Sequence, residues 1–219
     1  MNYHPKALIF DMDDTLVATS ALWREAEVRL LEEIGHTWSP EFAIQYKGMN
    51  ALDVAATIHR LLRPKLSVQS SQEIMRNALL QAFENGSLKP MPGAEICIRA
   101  FTGILPLAVA SGSPPPLIEL ALQRLEVRDA FSVLVSSETG ARGKPSPDIF
   151  LAAAGELGVD PSRCLVVEDS LVGVQAARAA GMACFAIPSS SPTEIAQIAT
   201  RTFPSLGDVT LEDVMSITR

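Results

Sequence analysis

Five short runs of consecutive apolar residues punctuate the chain, at 7–10, 107–110, 133–135, 165–167 and 184–187. Each is too short for a helix, and each is apolar on successive rather than alternate positions. That is the pattern of a parallel strand covered on both faces. Between the later runs the period changes to that of a helix. Residues 117–125 carry apolar side chains at helical spacing. Ser146, Pro147 and Asp148 read as the N-cap, first-turn proline and first-turn acid of a helix that Gly158 closes. Residues 171–180 are alanine-rich and end at Gly181. Strands alternating with helices predict an α/β fold with a doubly wound, Rossmann-like parallel sheet of five strands.

The first crossover breaks the rhythm. Residues 11–106 separate the first run from the second, far more chain than one crossover helix needs. The excess predicts an inserted α-helical domain. Leu22, Trp23, Ala26, Leu30 and Ile34 keep helical spacing over 20–34, closed by Gly35; 51–62 and 72–83 are further helix candidates. The return passes through Gly86, Pro90, Pro92 and Gly93, the composition of a hinge and linker. The predicted division is a core of 1–16 and 89–219 and a helical cap of 17–88. The polar run 189–193 reads as a loop.

Composition narrows the class. The chain has 219 residues, 47% hydrophobic and 20% charged, with a formal charge of −7. An acidic balance argues against nucleic acid, so an anionic substrate must be drawn in by a metal or a few placed cations. No apolar run approaches the roughly 20 residues of a membrane helix, and no signal peptide is evident at the N-terminus. Cys97, Cys164 and Cys184 are odd in number, widely spaced and set among apolar residues, which predicts buried reduced thiols in a cytoplasmic protein. A monomer is expected. His4, His36 and His59 read as surface or turn residues. Trp23 reads first as packing within the helical insert, with the site as its other candidate environment.

The polar residues collect just beyond the predicted strands. Asp11 and Asp13 follow the first; Ser111, Gly112 and Ser113 the second; Gly143, Lys144 and Pro145 the third; Glu168, Asp169 and Ser170 the fourth. Singly, each has a dull reading: a turn acid, a polar turn, a surface lysine, a helix cap. Together they lie where open α/β sheets bind ligands, outside the carboxyl ends of the strands. Clustered carboxylates need a cation, and hard oxygen ligands favour Mg²⁺. A metal, a lysine, a hydroxyl and free backbone N–H groups would together hold a phosphate.

Four segments carry a resemblance: Phe10-Asp11-Met12-Asp13-Asp14-Thr15-Leu16, Ser111 at a strand end, Gly143-Lys144-Pro145-Ser146-Pro147-Asp148, and Glu168-Asp169-Ser170 followed by Gly173. In order and spacing the chain resembles the haloacid dehalogenase superfamily, closest to its β-phosphoglucomutase-like branch. The resemblance implies that Asp11 is a nucleophile and metal ligand. It implies that Asp13 is a general acid and base whose backbone carbonyl also meets the metal. Thr15 would position the nucleophile loop, and Ser111 with the N–H of Gly112 would hold the phosphoryl group. Lys144 would bridge phosphate and Asp11. Asp169 would be a second metal ligand, and Glu168 a further one, direct or through water. The Lys144–Pro145 bond would be cis. Asp14 departs from the pattern, standing where the family usually has glycine.

The same comparison selects a reaction. Dehalogenases and phosphonatases of the superfamily lack the second aspartate, present here as Asp13. The mutases carry a histidine where this chain has Trp23, and an arginine three residues past a Lys-Gly pair, where Ala51 follows Lys47-Gly48. The expected activity is Mg²⁺-dependent hydrolysis of a small phosphorylated metabolite through an aspartyl phosphate. A sugar or polyol phosphate is the leading class, with phosphoglycolate or a nucleoside monophosphate as alternatives. Lys47 would contact the distal part of the substrate. The rival readings are a phosphomutase and a non-catalytic phosphate-binding relative; the latter would be marked by loss of Asp11, Asp13 or Lys144, and all three are present.

Overall fold

The structure, a computed structural model, describes residues 4–189 and 191–217. In chain order its first elements are β1 (Ala7–Phe10), β2 (Val17–Ala18), α1 (Ser20–Glu33), α2 (Pro40–Ala43), α3 (Ala51–Leu62), α4 (Val68–Asn85), β3 (Lys89–Pro90) and α5 (Ala94–Phe101). They are followed by β4 (Leu107–Ser111), α6 (Pro115–Arg124), β5 (Val133–Ser136), α7 (Asp148–Leu157), β6 (Cys164–Glu168) and α8 (Leu171–Ala179). The chain closes with β7 (Ala183–Ala186), α9 (Pro192–Ile198), β8 (Arg201–Thr202) and α10 (Leu211–Met215).

The main sheet runs in the order β5-β4-β1-β6-β7-β8, and every pair in it is parallel. The sheet therefore has six strands, not five. The sixth, β8, pairs Arg201 and Thr202 with Phe185 and Ala186 at the edge. Both its residues are exposed, so no apolar run marks it; backbone pairing alone makes it a strand. The other five are apolar on successive positions up to their carboxyl ends because each face meets its own core. Leu8, Phe10, Val109 and Val167 belong to one apolar cluster, and Ala7, Ile9, Ala108 and Val166 to the other. Neighbours along a strand point to opposite faces, so burial on both sides forbids alternation.

The insert is helical where the periodicity predicts it. Leu22, Ala26 and Leu30 of α1, Val54 and Ile58 of α3, and Met75, Leu79 and Phe83 of α4 share one core. Each large side chain so buried contributes roughly 1.5–3 kcal/mol. Asn50 and Ser67 cap α3 and α4, accepting the N–H groups of Asp53 at 2.9 Å and Ser70 at 3.0 Å. The two chain crossings between sheet and insert are tied to each other by the antiparallel pair β2–β3, with Val17 opposite Pro90. A core side chain grips the end of α4: Arg124 of α6 donates to the carbonyls of Phe83, Glu84 and Gly86 at 3.0, 2.7 and 3.1 Å. Those are carbonyls that a helix C-terminus leaves without partners.

Two local expectations change. The N-cap of α7 is Pro147, not Ser146; the Ser146 hydroxyl instead donates to the side chain of Asp148 at 2.7 Å. The run 189–193 is not all loop. Pro192 opens α9 as its first residue, a position where its missing N–H costs nothing; Ser190 lies outside the described residues. Cys97, Cys164 and Cys184 are all buried, and burial pushes the thiols of the first two up to about 12 and about 11. Among the described residues no helix is long and apolar enough to cross a membrane.

Candidate active site

The parallel strands end together, and residues just beyond them make the floor of a cavity. Asp11, directly after β1, is held by its N–H on the carbonyl of Val167 at 2.9 Å. Lys144 reaches it from the loop after β5, which turns through a cis Lys144–Pro145 bond. The Lys144 ammonium lies 2.5 Å from Asp11 Oδ1 and 2.5 Å from Glu168 Oε1. All three side chains are buried.

Glu168 is seated by its own loop. Its Oε2 accepts the N–H groups of Asp169 and Ser170 at 2.9 and 2.8 Å and the Ser170 hydroxyl at 2.9 Å. Ser170 in turn caps α8 by accepting the N–H of Gly173 at 3.1 Å. A Cβ on Gly173 would lie 1.7 Å from Glu168 Oε1. The glycine of the fourth motif is thus the space the carboxylate occupies. Asp169 accepts from Thr15 at 3.4 Å and from Ser189 at 2.5 Å. Thr15 therefore braces an acid on a neighbouring strand end.

Asp13 carries four donors. Thr19 and Trp23 donate to Oδ1 at 2.8 and 2.9 Å, and Ser111 and Ser113 donate to Oδ2, both at 2.9 Å. Trp23 is therefore more than packing within the insert: its indole N–H reaches the core. Thr19 carries no motif signal, and Ser113 stands out in the sequence only as one of the polar residues after the second strand. Asp14 takes the left-handed conformation, φ 56°, which asparagine and aspartate tolerate better than other side chains. Its carboxylate accepts the N–H groups of Thr19 and Ser20 at 2.9 and 3.0 Å, and the Ser20 hydroxyl. An acid here covers the open N–H end of α1, which glycine could not do.

Oxygens of Asp11, Glu168 and Asp169 lie within 4.8 Å of one another, close enough to share one cation. Burial raises the Asp11 carboxyl well above the usual range, against the pull of Lys144. Burial, then the charge of Glu168, push Asp169 up to about 7, against the bond from Ser189. Burial opposes the charge on Lys144 as well, but Asp11 and Glu168 outweigh it and hold the ammonium protonated. Three buried acids with one lysine form an oxygen-rich, charge-deficient set that a hard divalent cation fits.

Above this floor is a cavity of about 330 Å³. Asp11, Asp13, Gly112, Lys144 and Asp169 line it from the core; Trp23, Arg24, Glu27, Trp38, Tyr46 and Lys47 line it from the insert. Lys47 thus faces the cavity, whereas Thr15, Ser111 and Glu168 stand behind its wall. Glu27, Trp38 and Tyr46 are without a sequence signal, because they meet only through packing of α1 against the segment that follows it. The insert rests on the core at glycines. A Cβ on Gly48 would lie 2.5 Å from Val172 Cγ2, and one on Gly143 would lie 2.4 Å from Asn50 Nδ2.

A family model described as haloacid dehalogenase-like hydrolase matches residues 5–181. The chain is 34% identical over 179 residues to the fructose-1-phosphate phosphatase YqaB of Escherichia coli K12, covering 80% of this chain and 92% of that protein. It is 30% identical over 187 residues to hexitol phosphatase B of the same organism, covering 84% and 83%. Among solved structures, CbbY from Rhodobacter sphaeroides in complex with phosphate superposes with a TM-score of 0.85 at 26% identity, covering 96% of this chain and 99% of that one.

Proposed function

Because the chain belongs to the haloacid dehalogenase-like hydrolases, we propose that it is a Mg²⁺-dependent phosphatase of small phosphate monoesters, with a sugar phosphate as substrate. The observation that carries this reading is the buried Asp11–Lys144–Glu168 array beside Asp169, with Asp13 across the same cavity. The two Escherichia coli relatives, a fructose-1-phosphate phosphatase and a hexitol phosphatase, support the substrate class.

In this reading the ester phosphate sits against Lys144 and the N–H of Gly112, and the Ser111 hydroxyl, buried just behind the cavity wall, turns to a phosphoryl oxygen. Asp11 attacks phosphorus and becomes an acyl phosphate. The departing alkoxide takes a proton from Asp13, which next accepts one from water as that water attacks the acyl phosphate. Phosphate leaves and the Asp11 carboxylate is restored. Ser111 donates to Asp13 in the structure, so holding phosphate means exchanging that acceptor for a phosphoryl oxygen. Asp11 and Asp169, with the Asp13 backbone carbonyl, would hold the Mg²⁺. When bound, the ion supplies positive charge to the phosphoryl oxygens. Glu168, its oxygens engaged by Lys144 and its own loop, would seat the lysine and reach the ion through water. Lys47 would meet the part of the substrate away from the phosphate. The insert, residues 17–88, would act as a cap that keeps bulk water out.

Hydrolysis is favoured over phosphoryl transfer between sugar positions by two features. Ala51, where the mutases carry arginine, is fully buried at the start of α3 and offers no cation to a second phosphate. Trp23 meets Asp13 where the mutases carry histidine. The test is phosphate release from sugar phosphates, phosphoglycolate and nucleoside monophosphates, with Mg²⁺ or chelator, for the wild type and Asp11→Asn. Release should need Mg²⁺ and fall at least about a thousandfold in the variant. Sugar-phosphate isomerisation primed by a bisphosphate, without net release, would replace the reading with a mutase.

A further inference from the structure

The proposed chemistry uses the floor of the cavity and leaves most of its roof without a task. Glu27 of α1 lies in that roof and is only 9% exposed. Its Oε2 accepts the indole N–H of Trp38 at 2.6 Å and the Tyr46 hydroxyl at 3.4 Å. Its Oε1 takes no donor among the described residues, and no cation there pairs with it at ion-pair distance. Arg24 lies in the same roof, but its guanidinium stacks over the Trp38 ring, 4.9 Å from the centroid. Glu27 lines the cavity, so with Oε2 spent on its two anchors, Oε1 is the oxygen left to accept from a ligand there.

The position of Glu27 on α1 indicates which part of the ligand it meets. Trp23 donates to Asp13, the acid proposed to serve the leaving group. Glu27 follows Trp23 by four residues, hence on the same helix face and roughly 5–6 Å further along. We infer that Glu27 is a specificity-determining residue whose Oε1 accepts hydroxyl groups from the alcohol half of the substrate, a few atoms beyond the ester oxygen. Trp38 and Tyr46 hold the carboxylate in place, so the ligand need not order it on binding. A fixed anion there also repels a second phosphate or a carboxylate, which disfavours bisphosphates and phosphoglycolate. Lys47 faces the same cavity and would pull the other way. Glu27, buried and anchored twice, is the better fixed of the two. It rests on the phosphatase reading above.

The test compares kcat/KM on a polyol monophosphate with that on an alkyl phosphate of equal chain length without hydroxyls. It uses the wild type, Glu27→Ala and Glu27→Gln. The glutamine keeps an oxygen for Trp38 while presenting N–H donors to the cavity, and thermal melting reports folding of each variant. Both variants should lose roughly tenfold to a hundredfold on the polyol phosphate and no more than about threefold on the alkyl phosphate. Equal losses on the two esters would make Glu27 merely structural and overturn the inference, as would unchanged preference for the polyol ester. Hydrolysis of neither ester by the wild type would instead remove the phosphatase reading, and this inference with it.

Discussion

The indole N–H of Trp23 lies 2.9 Å from Oδ1 of Asp13, so a side chain of the helical insert orients the carboxylate proposed as acid and base. Trp23→Phe keeps the ring and removes the donor. Loss of one bond to a charged group should lower kcat about tenfold or more, displace the pH–rate profile, and leave KM nearly unchanged. Unaltered kcat and pH profile would show that the bond is incidental.

Lys144 is the counter-charge that two buried acids share. Lys144→Met should strand Asp11 and Glu168 without a counter-charge and cost about 3–5 kcal/mol, the range for breaking a buried pair. Urea unfolding in chelator measures this. Adding Asp11→Asn to the same chain removes one of the stranded charges and should restore part of the loss.

Burial raises the Glu27 carboxyl above its ordinary 4.5, against the bonds from Trp38 and Tyr46 and the charge of Arg24. The folded protein therefore holds this proton more tightly than the unfolded chain. The stabilisation is full below pH 4.5 and fades as pH rises through the folded value. Glu27→Gln removes that loss. The melting temperature of the variant relative to wild type should climb between pH 4 and 7; a constant difference would contradict it.

Gly48 has φ 79°, and an added Cβ would strike Val172 of α8. Gly48→Ala should disfavour seating of the insert by about 1–2 kcal/mol from the backbone alone. KM should rise severalfold while the core unfolds as before. Val172→Ala in the same chain should relieve the collision but not the backbone strain, so recovery is partial.

The strand ends were legible because parallel strands are apolar throughout, which makes the first polar residue after each one conspicuous. Asp11, Ser111 and Glu168 stand out in this way at or just past strand ends, and Lys144 in the loop beyond β5. The edge strand β8 was not, since two exposed polar residues carry no burial pattern. The departure at Asp14 was visible in the sequence, but its bonds to Thr19 and Ser20 were not, because they depend on a turn that only the folded loop defines. Glu27, Trp38 and Tyr46 escaped for a different reason. Their relationship is tertiary, and none of the three falls in a motif.

The grip of Arg124 on the last carbonyls of α4 bears on how such enzymes could exchange parts. A helical insert transplanted into another scaffold would arrive with that helix terminus bare unless the recipient offers a guanidinium at the matching place on its own first post-linker strand–helix unit. Recombination between relatives should therefore succeed most often when the arginine and the insert travel together, although more than thirty residues of chain lie between them.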